Sequence, residues 1–118
     1  MDISLNFLIC KDPKKIILIQ ELAEELYKIE ETDKTTALLW KYVEKIDHSA
    51  LLLLARAHEK RREPDKMIKA LNILTAKDPK NYEAFYLLGN AHILKNKNLE
   101  TLENYKTAIE LNPKFEPP

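Results

Sequence analysis

Residues 54–79 read LARAHEKRREPDKMIKALNILTAKDP, and residues 88–113 read LGNAHILKNKNLETLENYKTAIELNP. Moving the first stretch along the chain by 34 residues pairs Leu54, Ala57, His58, Leu71, Leu74, Asp78 and Pro79 with Leu88, Ala91, His92, Tyr105, Ala108, Asn112 and Pro113. A fixed period of this length is typical of an array of stacked helical repeats. Such arrays are usually binding surfaces, so a search for a catalytic site is not the first concern.

Each copy of the repeat predicts two helices joined as a hairpin. Apolar residues recur three and four positions apart in two blocks, which a short polar break separates, and Asp-Pro or Asn-Pro closes each copy. One amphipathic hairpin cannot bury its apolar face alone, so neighbouring hairpins must stack to form a continuous core. We therefore expect an all-α fold of stacked antiparallel helix hairpins.

Composition agrees with this fold. The chain has 118 residues, a formal net charge of zero and a single glycine, which together suit one small and nearly all-helical domain. Its lone cysteine, Cys10, excludes an internal disulfide and favours a reducing compartment, so we expect a cytoplasmic protein. The apolar run at residues 3–10 lacks the positive start and the length of a secretory signal.

Start and stop signals predict six helices. The first begins at Pro13 and runs to about Glu31, and the second carries Ala37, Trp40, Val43 and Ile46. The third is capped by Asp47 or Ser49 and runs to Arg62, and the fourth extends from Pro64 to about Lys77. The fifth is capped by Asn81 and runs to about Lys95, and the sixth is capped by Asn98 and runs to Leu111.

These helices divide the chain into five parts. We expect an apolar lead-in at 1–12, a degenerate hairpin at 13–47, regular hairpins at 48–81 and 82–115, and a tail at 116–118 that is the cut end of a longer array. The lead-in either packs on the first hairpin or docks onto a partner or a second copy.

The last two hairpins resemble the tetratricopeptide repeat. In residues 82–115 the resemblance is carried by Phe85, Leu88, Gly89, Ala91, Tyr105, Ala108 and Pro113, with Thr101 at a position where the family usually has alanine. Residues 48–81 match with Leu51, Leu54, Ala55, Leu71, Leu74 and Pro79, and residues 16–47 are similar to a degenerate copy. The resemblance implies about three repeats in a right-handed superhelix, with the first helix of each hairpin lining the concave face.

That face is the predicted binding site. The side chains assigned to a peptide-binding groove are Leu52, Leu53, Arg56, Tyr86, Leu87, Asn90, Ile93 and Leu94. Tyr86 and Leu87 would receive an apolar anchor, Arg56 would pair with a carboxylate, and the Asn90 amide would hold a peptide backbone. We therefore expect a non-catalytic adaptor or scaffold that binds a helix or extended segment of a partner protein.

Self-association is the alternative that the sequence leaves open. A repeat array needs a polar helix to cover its last apolar face, and no such helix follows the repeat that Pro113 closes. A structural module, such as a homodimer, would then use the N-terminal run or the open C-terminal face, through Phe7, Leu8, Leu102 and Phe115.

Several other functions are not expected. Tetratricopeptide domains that bind chaperone C-terminal tails use lysine, asparagine and arginine as a carboxylate clamp, and the corresponding pairs here are Gln20/Glu24, Leu52/Arg56 and Tyr86/Asn90. Acidic residues dilute the basic cluster at 60–62 and no aromatic residues interleave it, so a nucleic-acid partner is not expected either. The sequence holds neither a glycine-rich phosphate loop nor clustered metal ligands, so we predict no enzyme, cofactor, metal or membrane role.

Overall fold

A computed structural model describes residues 13–117, which form six helices and no strand. The helices are α1 (Pro13–Lys28), α2 (Thr32–Lys41), α3 (His48–Lys60), α4 (Pro64–Lys77), α5 (Tyr82–Leu94) and α6 (Asn98–Leu111). The all-α architecture of stacked helix hairpins is confirmed.

The helices stack in chain order, and the stack is curved. Each helix packs on the next one, and α3 also contacts both α1 and α5. Among these six helices, by contrast, α2, α4 and α6 bring no Cα atom within 8 Å of one another. Because the first helices of the hairpins are closer together than the second helices, α1, α3 and α5 form the concave side.

The core is built from leucines and from small residues at helix crossings. Its largest fully buried aliphatic side chains include Leu39, Leu51, Leu54, Met67, Leu71 and Leu74. Ala23 and Ala55 are fully buried, and Gly89 occupies the slot of Ala55 one repeat later. A Cβ atom at Gly89 would overlap the ring of Tyr105, so only glycine permits α5 and α6 to approach this closely with that ring between them.

Three helix ends differ from the prediction. Helix α1 ends at Lys28 rather than near Glu31, because the left-handed Glu30, with φ of 66°, turns the chain toward α2. Helix α3 likewise ends at Lys60 rather than Arg62, which has φ of 56°. Helix α2 stops at Lys41, so Val43 and Ile46 lie beyond it, although Ile46 is still buried.

Side-chain caps agree with the sequence at two helices and disagree at a third. The Asp47 carboxylate accepts the Ala50 N–H at 3.0 Å, and the Asn81 side chain accepts the Ala84 N–H at 3.1 Å. The prediction that Asn98 caps α6 is wrong, because Asn98 is already the first helical residue. Lys97 stands at the cap position and makes no side-chain capping bond.

Candidate functional site

The concave side holds a cavity of about 340 Å³ where α1 and α3 meet the start of α5. Its lining residues are Glu24, Tyr27, Lys28, Ser49, Leu52, Leu53, Arg56 and Glu83. Leu52 and Leu53 are half-buried and pack against the core, and they supply the aliphatic part of the lining. The remaining lining residues carry polar or charged groups, so a ligand here would meet apolar and charged surface side by side.

Arg56 is not a free cation in this cavity. Its Nη2 donates to Oε2 of Glu83 at 3.2 Å, and this ion pair joins α3 to α5. The sequence places the two residues 27 positions apart, so only the stacking of the hairpins brings them together. The predicted pairing of Arg56 with a ligand carboxylate would therefore have to compete with Glu83.

Asn90 is also engaged within the protein. Its Nδ2 donates to Oε2 of Glu59 at 3.0 Å, and its Oδ1 accepts the hydroxyl hydrogen of Tyr105. Burial raises the pKa of the Tyr105 hydroxyl, which keeps this group a donor. The Asn90 amide therefore links α3, α5 and α6 and is not free to hold a peptide backbone as predicted.

Leu87 does not belong to the groove. It is only 2% exposed and is part of the main hydrophobic core, so its assignment as a groove residue is wrong. The spacing argument failed because α5 packs against α3, α4 and α6, and its buried surface is therefore wider than one stripe. Tyr86 and Leu94 are half-buried, and Ile93 is 49% exposed.

Tyr86 lies in an aromatic cluster at the C-terminal end of the array. Its ring stacks on that of Tyr105 with centroids 5.8 Å apart and meets Phe115 edge-on at 5.4 Å. Phe115 also contacts Tyr82 at 4.8 Å, so it packs within the molecule rather than projecting as a free anchor. A second cavity of about 310 Å³ is lined by Tyr86, Tyr105, Ala108, Ile109, Phe115 and Pro117.

The other residues assigned to self-association have separate outcomes. Leu102 on α6 is 64% exposed and available to a partner. Phe7 and Leu8 lie outside the described residues, as does the lead-in at 1–12.

Comparison with known proteins agrees with the geometry. The sequence pattern of the tetratricopeptide repeat matches residues 48–91. The first such domain of Spaghetti (RPAP3), bound to the HSP90 peptide SRMEEVD, superimposes with a TM-score of 0.81 over 88% of this chain and 84% of that chain. Residues 48–91 therefore match a tetratricopeptide repeat, and the described helices have the fold of tetratricopeptide-repeat structures.

Two further matches show how far the similarity extends. The crystal structure of MamA superimposes with a TM-score of 0.80, at 21% identity, over 93% of this chain and 66% of that one. The RPAP3 domain is 18% identical, so these two structures show the fold alone. The Arabidopsis thaliana protein SLOW GREEN 1, chloroplastic, is 30% identical over 73 residues, which are 62% of this chain but 23% of that protein.

A buried polar junction between the first two helix hairpins was not predicted. The Trp40 indole Nε1–H donates to Nε2 of His58 at 2.8 Å, and Nδ1 of His58 lies 3.0 Å from the Glu63 carboxylate. His58 is 2% exposed, and this burial lowers its pKa against the opposing effect of Glu63. The hydrogen bond from His58 in turn lowers the pKa of Glu63. His92 occupies the same slot in the next repeat, but the residue five positions later is Lys97 there and Glu63 after His58. This difference was the one sign of the junction in the sequence.

The described helices give no sign of two other kinds of site. Within residues 13–117, none of the helices has the length and apolar character needed to cross a membrane. The same residues contain no cluster of three or more His, Cys, Asp or Glu side chains that could hold a metal ion.

Proposed function

We propose that this chain is a non-catalytic adaptor that binds a segment of a partner protein in its concave groove. The observation that carries the proposal is the cavity of about 340 Å³ between α1, α3 and α5, with Leu52 and Leu53 exposed to it. Half-buried leucines in a concave surface can take up an apolar side chain of a partner, and binding energy concentrates at such anchors. The predicted cytoplasmic location stays a prediction.

A chaperone tail is not the partner we propose. The RPAP3 domain binds an HSP90 peptide that ends in Glu-Glu-Val-Asp, and its fold matches this one closely. In the present groove, however, Glu24 lines the cavity and Arg56 is already paired with Glu83. An acidic tail would therefore meet one repelling carboxylate and one cation that is partly neutralised.

The adaptor proposal is tested by placing a charge in the groove. We expect Leu52→Asp to abolish capture of partner proteins from a cell extract, because it places a carboxylate in the apolar part of the cavity. The matched control is Leu102→Asp, the same change at a leucine that is 64% exposed on α6. Circular dichroism is used to check that both variants are folded. Equal capture by Leu52→Asp and the wild type would contradict the proposal.

Self-association through α6 is the second candidate. It is favoured by three large apolar side chains on this helix that are 73%, 64% and 61% exposed, namely Leu99, Leu102 and Ile109. The same samples distinguish the two candidates when light scattering is recorded over a dilution series. A dimer that Leu102→Asp dissociates, together with capture that Leu52→Asp leaves intact, would favour self-association over the adaptor.

A further inference from the structure

We infer that the groove selects a partner segment that carries lysine or arginine next to an aliphatic anchor; this inference rests on the proposed function. It names the chemical class of the partner, which neither the fold nor the repeat pattern specifies. The argument rests on which charges around the cavity are already paired within the protein.

The α1 wall of the groove contributes one carboxylate, Glu24, and one cation, Lys28, to the cavity. Glu21 and Glu25 each lie three positions before one of these two residues, and all four side chains are exposed. The Nζ of Lys28 lies 3.3 Å from Oε1 of Glu25. Within residues 13–117, Glu21 and Glu24 have no cation partner.

The cations on the opposite wall are engaged. Arg56 is paired with Glu83 at 3.2 Å, and Nζ of Lys60 lies 4.4 Å from the centre of the Tyr27 ring. Glu59 accepts the neutral Asn90 amide rather than a cation. The cavity lining holds two carboxylates, Glu24 and Glu83, and two cations, Lys28 and Arg56. Both cations are paired within the protein, so among the described residues Glu24 is the lining charge without an ion-pair partner.

A basic and aliphatic segment satisfies both parts of this site. Glu24 and the two leucines line the same cavity, so one short segment can place an apolar side chain on Leu52 and Leu53 and an ammonium or guanidinium group beside Glu24. An acidic segment would bring like charges together along the α1 wall. Because the carboxylates are exposed, salt will weaken the selectivity.

The experiment compares three fluorescein-labelled amphipathic peptides of one length. They share the same leucines and carry lysine, glutamine or glutamate at all polar positions, and binding is followed by fluorescence anisotropy at low and high salt. We expect the lysine peptide to bind most tightly and the glutamate peptide least. The double variant Glu21→Gln/Glu24→Gln should weaken lysine-peptide binding by roughly fivefold and reduce its salt dependence.

The control variant is Glu103→Gln/Glu110→Gln, which changes the net charge equally at two exposed positions of α6. If this control weakens lysine-peptide binding as much as the groove variant does, net charge explains the preference and the inference is overturned. If the glutamate peptide binds as tightly as the lysine peptide while Leu52→Asp weakens both, the inference fails and the adaptor proposal stands. If Leu52→Asp has no effect on any peptide, both fail.

Discussion

Gly89 is the single glycine of the chain and lies under an aromatic ring that cannot easily move. A Cβ atom there would overlap the Tyr105 ring, which stacks on Tyr86 and donates its hydroxyl hydrogen to Asn90. In the preceding hairpin the same two slots hold Ala55 and Leu71, both fully buried. The two repeats therefore fill one position in two ways, either glycine with a large ring or alanine with leucine.

We expect Gly89→Ala to lower the free energy of unfolding by about 1–3 kcal/mol, because overpacking outweighs the gain of roughly 1 kcal/mol in helix propensity. The double variant Gly89→Ala/Tyr105→Leu reproduces the pair in the second repeat and should lose less stability than the two single changes added together. Urea unfolding of the four proteins gives the coupling energy. Strict additivity would show that Tyr105 is not what excludes a side chain at position 89.

At the scale of the elements, each hairpin turn is closed by the same backbone motif. A left-handed residue follows the first helix of each hairpin, and these are Glu30, Arg62 and Asn96, with φ of 66°, 56° and 59°. The next N–H group then bonds back to a carbonyl of the helix, from Glu31 to Leu26, from Glu63 to His58 and from Lys97 to His92, each at 2.9 Å. This is the Schellman motif, in which glycine is the preferred residue.

Arg62 is strained by this motif because its side chain disfavours positive φ. We expect Arg62→Gly to raise the free energy of unfolding by roughly 0.5–1 kcal/mol, the relief of strain being partly offset by the greater freedom of glycine in the unfolded chain. Asn96→Gly should gain less, because asparagine tolerates the left-handed region. Urea unfolding measures both.

The control for this prediction is Arg62→Ala, which removes the same charge but keeps a Cβ atom. It should leave stability nearly unchanged. Equal stabilisation by alanine and glycine would assign the effect to the arginine charge instead of the backbone conformation.

At the scale of the whole molecule, the sequence predicted the helix hairpins, which recur along the chain, and missed the contacts between hairpins, which do not recur. The period of 34 residues and the caps Asp47 and Asn81 could be recognised from the sequence, because each depends only on residue types at fixed spacings. The partners of Arg56 and Asn90 were not readable, since Glu83 and Glu59 lie 27 and 31 residues away and meet them only after the hairpins stack. Leu87 was misplaced for a related reason, because α5 is buried by neighbours on more than one side. Local propensity therefore specifies the hairpins, and packing specifies the groove.

The junction of the first two repeats has the same non-local origin. Trp40 on α2 meets His58 on α3, and the indole N–H can only donate, so Nε2 of His58 must accept and its proton lies on Nδ1, which donates to Glu63. The surrounding charges are the Arg61 guanidinium and the Lys66 ammonium, both paired with Glu63, and Lys69, whose Nζ is 5.2 Å from the Trp40 ring. Protonation of His58 would place a hydrogen on Nε2, so that two N–H donors, from His58 and Trp40, would meet in a buried site with no acceptor between them.

The stability of the protein should therefore fall in mild acid. Because burial lowers the pKa of His58, the unfolded chain binds the proton at a higher pH than the folded one, so the contribution is complete above about pH 6.5 and is lost as pH falls through the lowered folded pKa. The lowered pKa of Glu63 acts in the same direction at lower pH. We expect the free energy of unfolding to decrease by about 1–3 kcal/mol, because the hydrogen bond of the indole N–H is lost.

Trp40 is the sole tryptophan, so its fluorescence reports on this junction while urea unfolding is measured at several pH values. We expect the free energy of unfolding to decrease below about pH 6.5 in the wild type and in His48→Gln, a control at an exposed histidine. In His58→Gln the decrease should be much smaller, because a glutamine can accept the indole N–H at every pH. If His58→Gln kept the slope of the wild type, the acid response would arise elsewhere, and the contact between the first two repeats would not depend on the protonation of this histidine.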